Sequence, residues 1–435
     1  MTEYGVKAIT PPDWFCKNAI YQINPRTFSK EGTLEAVTKR LPELKALGFD
    51  IIYICPVFET DDSEDRDFWS IRQKASGTNN PKNPYRMNNY FRVDCEYGTD
   101  TDLRVLIDTA HSLGQRVILD LVYMHIGPNA PIVKEHPEFV CQDENGKPIL
   151  TKYNFYTLNF ENAGLCEYLW CNMVYFIGEF DADGFRCDVG DKVPIEFWQE
   201  GKRRICAIKP DCIMINEGRN FDCLTACFDS IYTFSRHEII YKIISGESDI
   251  SALVDYHNDE QQKAPGGAYP MRDMDNHDTV TDWPERVELR AGHAGMELIT
   301  VINYIINGIP MVYSGNELAD ISHHSMFANR FYSGGYETTD RDALLKTPEA
   351  TRRINVVKYL NTLKKDSQTL CLGDTRIAQQ DGFLIIEREY EGERITLVAN
   401  LCPKSNDNSI KLHGEVMLES ENKIQMPYGY SLRRE

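Results

Sequence analysis

From residue 19 onward the chain keeps switching between two periods. Short β-branched runs, AIYQI, DIIYICPVF and RVILDLVYM, alternate with longer amphipathic stretches such as TLEAVTKRLPELKALG and TDLRVLIDTAHSLG. The first kind reads as buried strands and the second as helices that cover them, the pattern of βα units around a parallel sheet. The alternation continues through GLCEYLWCNMVYFIGEF into DGFRCDV, through PIEFWQEGKRRICAIKP into CIMINEG, and on to DSIYTF, YPMRDM and GIPMVYSG. Eight strands, each followed by a helix candidate, predict a (β/α)8 TIM barrel rather than an open doubly wound sheet. No GxGxxG follows the first strand, as a dinucleotide site would require.

Two connections are too long for simple turns, residues 57–99 and 126–165, and long loops of compact domains tend to be functional. After residue 370 the helical period stops and TRIAQQDGFLIIEREYEGERITLVANL reads as strands with polar turns. The expected organisation is therefore a barrel over residues 1–370, with 126–165 as a short insertion after strand 3, and a small C-terminal all-β domain over 371–435. The formal net charge of −19 argues against nucleic acid or an anionic membrane as partner. The N-terminal stretch MTEYGVKAITPPDWF lacks a basic segment followed by an apolar run, and thirteen cysteines show no CxxC or zinc spacing. Reduced thiols in a cytoplasm are the simplest reading.

In such a barrel the active site forms at the C-terminal ends of the strands. There LDLVYMH offers Asp120 and His125, GFRCDV offers Arg186 and Asp188, CIMINEG ends in Glu217, and MRDMDNHD leads to His277 and Asp278. Arg186 and Asp188, two apart in a strand, point to the same face. Converging carboxylates suit either a divalent metal or glycosyl chemistry. The arginine beside Asp188 favours the second, because a guanidinium lowers a carboxyl pKa and suits a nucleophile. Glu217 follows the apolar run IMI, so desolvation is expected to raise its pKa and keep it an acid. The acidic run DDSEDRD lacks the glycine and final glutamate of a calcium loop and reads as a solvated surface.

The blocks LDLVYMH, GFRCDV, INEG and DMDNHD, in that order, resemble those of the α-amylase family of glycoside hydrolases, glycoside hydrolase family 13. AIYQINPRTFS and GIPMVYSGNE resemble the family's first and eighth strands. The resemblance implies Asp188 as nucleophile, Glu217 as general acid/base and Asp278 as stabiliser of the transition state. It further implies His277, Arg186, His125 and Tyr90 as substrate-binding residues, Tyr90 stacking on the sugar, with Asp120 secondary at the base of the site. Met124 stands where the family has a calcium-binding Asn, so no metal and no cofactor is expected; Asp191 and Lys192 depart from the family's Lys-His. The function so implied is retaining hydrolysis of α-1,4-linked glucans or maltooligosaccharides. The alternatives are a glucanotransferase, isomerase or phosphorylase of the same family, or a non-catalytic carbohydrate-binding homologue.

Overall fold

The structure is a computed structural model that describes residues 6–332 and 336–435. Eight parallel strands form a nearly closed barrel: β1 (Ile20–Ile23), β2 (Ile51–Ile54), β3 (Arg116–Leu121), β4 (Gly184–Cys187), β5 (Ile213–Asn216), β6 (Ser230–Ile231), β7 (Met271–Arg272) and β8 (Ile309–Tyr313). Their order in the sheet is β6-β5-β4-β3-β2-β1-β8-β7. Side chains close the gap between β6 and β7, where Ser230 Oγ donates to Tyr269 O (2.7 Å) and Thr233 Oγ1 donates to Met271 O (2.8 Å).

Alternation along each strand decides what fills the barrel. Ile20, Ile51, Tyr53, Ile118, Ile213, Ile215, Met271, Ile309 and Met311 form one buried interior cluster. The intervening residues, among them Tyr21, Ile52, Ile54, Val117, Leu119, Phe185 and Met214, belong to the larger core beneath the helices. Above the apolar layer the same inward rows continue with Gln22, Asp120 and Arg186, all buried. The barrel is thus oily below and charged at its mouth. Gly184 lets β4 sit close to its neighbour: a Cβ there would collide with the carbonyl of Ile213, and its φ of +157° is one that side chains rarely adopt.

Helices α1 (Leu34–Ala46), α2 (Asp100–Ser112), α3 (Ala163–Phe180) and α4 (Ile195–Ile208) follow the first four strands. A capping box of Thr99 and Asp102 starts α2, and the Asn162 side chain caps α3. The expected helix after β5 is only the single turn Cys223–Ala226, because RNFDCLTACFD is too short and polar to bury a helical stripe. Helices α5 (Phe234–Ile244) and α6 (Ile250–Lys263) follow β6, α7 (Val287–Ile305) follows β7, and α8 (Pro348–Asp366) follows β8. Among the described residues no helix is long and apolar enough to cross a membrane.

Strands β9 (Asp374–Gln380), β10 (Phe383–Tyr390), β11 (Glu393–Ala399), β12 (Glu415–Glu419) and β13 (Tyr430–Arg434) make a separate antiparallel sheet of order β9-β10-β11-β13-β12. It is tied to the barrel where Tyr430 and Arg352 both bond Glu297 and where Arg388 donates to Ile305 O. The two long insertions are pinned as short antiparallel ribbons, Phe58–Thr60 with Met87–Val93 and His125–Ile126 with Tyr156–Thr157. They meet over the mouth: Asn154 Nδ2 donates to Trp69 O, and the amide of Asn129 donates to Asp61. Asp61 is therefore buried, and only the remainder of the acidic run 61–67 faces solvent.

Candidate active site

One guanidinium organises the mouth. Arg186 Nη1 donates to Asp120 Oδ1 (2.8 Å) and to Asp188 Oδ1 (2.9 Å), while Nη2 pairs with Glu217 Oε2 (2.9 Å). It lies 5.7 Å from the ring centres of both Tyr85 and Tyr232. Asp120 and Arg186 are paired neighbours on β3 and β4. Asp120 also accepts from Tyr53 (2.6 Å) and Tyr85 (3.2 Å) and is fully buried. It thus anchors the arginine from below, and Asp188 and Glu217 occupy the upper side.

Asp188 and Val189 follow the last residue of β4. The Asp188 amide donates to Leu121 O, and Val189 then turns into the left-handed region, with φ of 43° and ψ of 42°. That conformation is costly for a β-branched residue. It aims the Val189 amide at Glu217 Oε2, 2.7 Å away. Trp198 of α4 supports the turn by donating its indole N–H to Gly190 O. Asp191 ties down the other side of Glu217: it accepts from Asn216 Nδ2 and from the amides of Arg219 and Asn220. Gly218 makes room for it, since a Cβ there would collide with the Asp191 carboxylate. The residue that departs from the family's Lys-His therefore fixes the loop behind the glutamate.

On the opposite wall, Gln22 Oε1 accepts from the His277 amide, which leaves its Nε2 to donate to His277 Nδ1 at 2.8 Å. The ring then carries its proton on Nε2, facing the Tyr85 hydroxyl at 2.6 Å, and Tyr85 passes the chain on to Asp120. Burial pushes the His277 pKa down, in keeping with a neutral ring. Asp278 stands beside it, accepting from Arg72 Nη2 at 2.8 Å. Burial opposes its charge, but the His277 ring, Arg72 and Arg186 outweigh burial and hold its carboxyl well below the ordinary carboxylate range. His125 Nε2 donates to Tyr85 O, and its Nδ1 has no partner among the described residues. Burial lowers its pKa to about 4, so the ring is neutral and Nδ1 is an acceptor.

These residues enclose a cavity of about 260 Å³ lined by Asp188, Glu217, Asp278, His125 and His277. The structure thus brings five of the eight expected residues to one cavity and sets Arg186 and Asp120 beneath it. Tyr90 requires correction. Its ring is 2% exposed, packs edge-on against Tyr123 and Tyr168, and its hydroxyl donates to His125 O. Its place in the ribbon 87–93 turns it into the core. Tyr85 lines the cavity instead, stacked on His277 at 5.6 Å and 17°, with Tyr153 and Phe155 also in the lining. Asn83 and Pro84 before it were a legible turn signal, and Asn83 does accept from the Tyr85 amide.

The charge expected on Asp188 also needs correction. Burial and the charge of Glu217 push its carboxyl above the ordinary range, and Arg186 only partly offsets them. A guanidinium shared among three carboxylates cannot fully compensate each one. Glu217 is raised as well, chiefly by burial. Arg72, Gln22, Asp282, Tyr153 and Phe155 complete the surroundings and were not anticipated. Only Gln22, polar at an inward position of AIYQI, carried a signal in the sequence. Among the described residues no group of three or more His, Cys, Asp or Glu is arranged to hold a metal ion; Met124 is buried in the core.

The α-amylase catalytic-domain family model matches residues 15–146. A maltogenic α-amylase of Bacillus acidopullulyticus is 27% identical over 71% of this chain and 57% of its own length. The chain thus spans little more than half of that relative. A cyclomaltodextrinase of a Bacillus species is 24% identical over 88% of this chain and 74% of its own. An α-amylase structure from Lactobacillus plantarum superposes with a TM-score of 0.79 at 22% identity, covering 98% of this chain and all of that one. A maltogenic α-amylase from Thermotoga neapolitana superposes at 0.77 with 21% identity, covering 96% of each.

Proposed function

We propose that this chain, which is similar to the α-amylase family of glycoside hydrolases, hydrolyses α-1,4-linked maltooligosaccharides with retention of anomeric configuration. The observation that carries this reading is the pair Asp188 and Glu217, held on adjacent nitrogens of one guanidinium and both lining the cavity. Such a pair suits the spacing of about 5–5.5 Å that retaining glycosidases need, with no room for a water between. Asp188 attacks the anomeric carbon and forms a glycosyl ester, while Glu217 gives its proton to the departing oxygen. Water then returns a proton to Glu217 and delivers its hydroxyl to the same carbon, freeing Asp188. The chemistry asks for no redox or nucleotide cofactor.

Asp188 must be ionised when it attacks. In the free site burial and Glu217 oppose that. The positive charge that develops at the anomeric carbon next to Asp188 favours its ionised form, while Glu217 holds its proton for the departing oxygen. Asp278, ionised throughout, and the neutral acceptor His125 Nδ1 supply groups for the sugar hydroxyls. Relatives named for maltodextrin chemistry support an α-glucan substrate.

The test is a panel of maltooligosaccharides, isomaltose, trehalose, sucrose and soluble starch, with and without phosphate, with products resolved over time. Shorter α-configured oligosaccharides, independent of phosphate, are expected. Longer products, isomers or sugar phosphates would replace hydrolysis by transfer, isomerisation or phosphorolysis. No product from any substrate would leave a binding protein. Asp188→Asn should remove turnover while leaving the thermal unfolding transition in place.

A further inference from the structure

The first insertion sends a short helix, Ile71–Ala75, across the barrel mouth. From it Arg72 Nε donates to Asp282 Oδ1 (2.7 Å) and Nη2 to Asp278 Oδ1 (2.8 Å). Arg72 comes from the loop after β2, and both aspartates from the segment after β7. The sheet order puts β1 and β8 between those two strands, so the bridge spans the ends of β1 and β8. In an eight-stranded barrel that side lies directly across from β4 and β5, where Asp188 and Glu217 stand.

Other bonds turn the bridge into a wall. The Met326 amide donates to Thr281 Oγ1, and Met326 O accepts from Arg26. Asn80 Nδ2 donates to Phe327 O, and Gln73, one residue beyond Arg72, donates to Asn80 O. Arg72, Asp282, Met326 and Phe327 all line the cavity. The bridge stands at the rim of the cavity, with the Arg72 and Asp282 side chains 33% and 44% exposed. The cavity of about 260 Å³ falls below the roughly 300–1,000 Å³ of pockets that hold drug-sized ligands.

We infer that the Arg72–Asp278–Asp282 bridge closes the cavity on the side away from Glu217, so that the enzyme takes only the non-reducing terminal residue of a chain and acts as an exo-glycosidase. This inference rests on the hydrolase reading above. The leaving oxygen must lie toward the acid Glu217, and the rest of the glucan departs on that side. A sugar linked beyond the terminal residue would have to pass through Arg72. Its remaining Nη1 makes no hydrogen bond among the described residues and is free to meet the hydroxyl that only a terminal residue leaves unsubstituted. Arg72 is thus a specificity-determining residue that also positions Asp278.

The test compares maltoheptaose with a maltoheptaoside whose non-reducing end carries a 4,6-O-ethylidene block. The wild-type enzyme should release glucose from maltoheptaose together with maltohexaose at the first time point, before any shorter oligosaccharide appears, and cleave the blocked chain at least about 100-fold more slowly. Arg72→Ala should raise the blocked-to-unblocked rate ratio at least about tenfold. The ratio cancels any general loss that follows from disturbing Asp278. If Arg72→Ala fails to fold, Asp282→Ala, which releases one end of the bridge, should move the ratio in the same direction. Wild-type cleavage of both chains at similar rates, with mixed product lengths, would overturn the closure while leaving the hydrolase reading intact. No cleavage of either chain would overturn both.

Discussion

Glu217 Oε2 accepts from the Val189 amide and pairs with Arg186, so two groups fix its position, and the cost of that arrangement falls on Val189. A β-branched residue in the left-handed region stores about 1–3 kcal/mol, whereas glycine there loses about 0.5–1 kcal/mol in chain entropy. Val189 also packs partly buried against the core, so strain relief and lost packing oppose one another, and Val189→Gly should change stability by no more than about 1 kcal/mol in urea denaturation; a loss above about 2 kcal/mol would mean the turn is unstrained. Glu217→Gln removes the acid. It should cut kcat about 10²–10⁴-fold on maltooligosaccharides and far less on a glycosyl fluoride, whose leaving group needs no proton. Equal losses on both would refute the acid role. Because burial raises both Asp188 and Glu217, activity should fall with acid as Asp188 is protonated and with alkali as Glu217 is deprotonated, with both limbs above ordinary carboxylate values. Arg186, Asp188, Glu217 and Asp278 were legible because charges in otherwise apolar strands, or directly after them, have few uses. Tyr85 and Arg72 were not, since nothing in the sequence tells which way a loop aromatic turns or which insertion residue crosses the mouth.

The element that most depends on others is the loop after β5. Asp191 reaches it from the turn after β4, holding the amides of Arg219 and Asn220. Asp191→Ala should free that loop and lower kcat by up to about 100-fold, the scale of an ångström-sized misplacement, with a smaller change in KM. An unchanged kcat would show that Val189 and Arg186 suffice to hold Glu217. The strands from β1 to β5 were readable because their alternation separates an inner from an outer apolar row. The three strands after β5 were read as well, although β6 and β7 are only two residues each; the helix expected after β5 was not there, because that connection is one helical turn. Side-chain bonds from Ser230 and Thr233 replace backbone pairing between β6 and β7.

At the scale of the whole molecule, two buried histidines make stability depend on pH. His125 at the mouth and His257 on α6 are both held near pKa 4, chiefly by burial, against about 6.5 in an unfolded chain. Between those values the unfolded state binds protons that the native state refuses, so the histidines' contribution to stability declines as pH falls from about 6.5 to about 4 and is constant below. Each group contributes up to about 3 kcal/mol to that decline. Urea midpoints measured from pH 7 to pH 4 should show it; His277 and His324, also buried and lowered, add to the slope, so His257→Leu should reduce it in part. A slope unchanged in that variant would remove His257 from the account.

Retaining hydrolysis requires Asp188 to form a covalent bond with the sugar. Incubating the enzyme with 5-fluoro-α-glucosyl fluoride, which forms the ester but turns it over slowly, and mapping the labelled peptide by mass spectrometry tests this directly. One fluoroglucosyl group per chain is expected, located on Asp188 and absent from Asp188→Asn. A label on another carboxylate, or fluoride release without any labelled peptide, would contradict it.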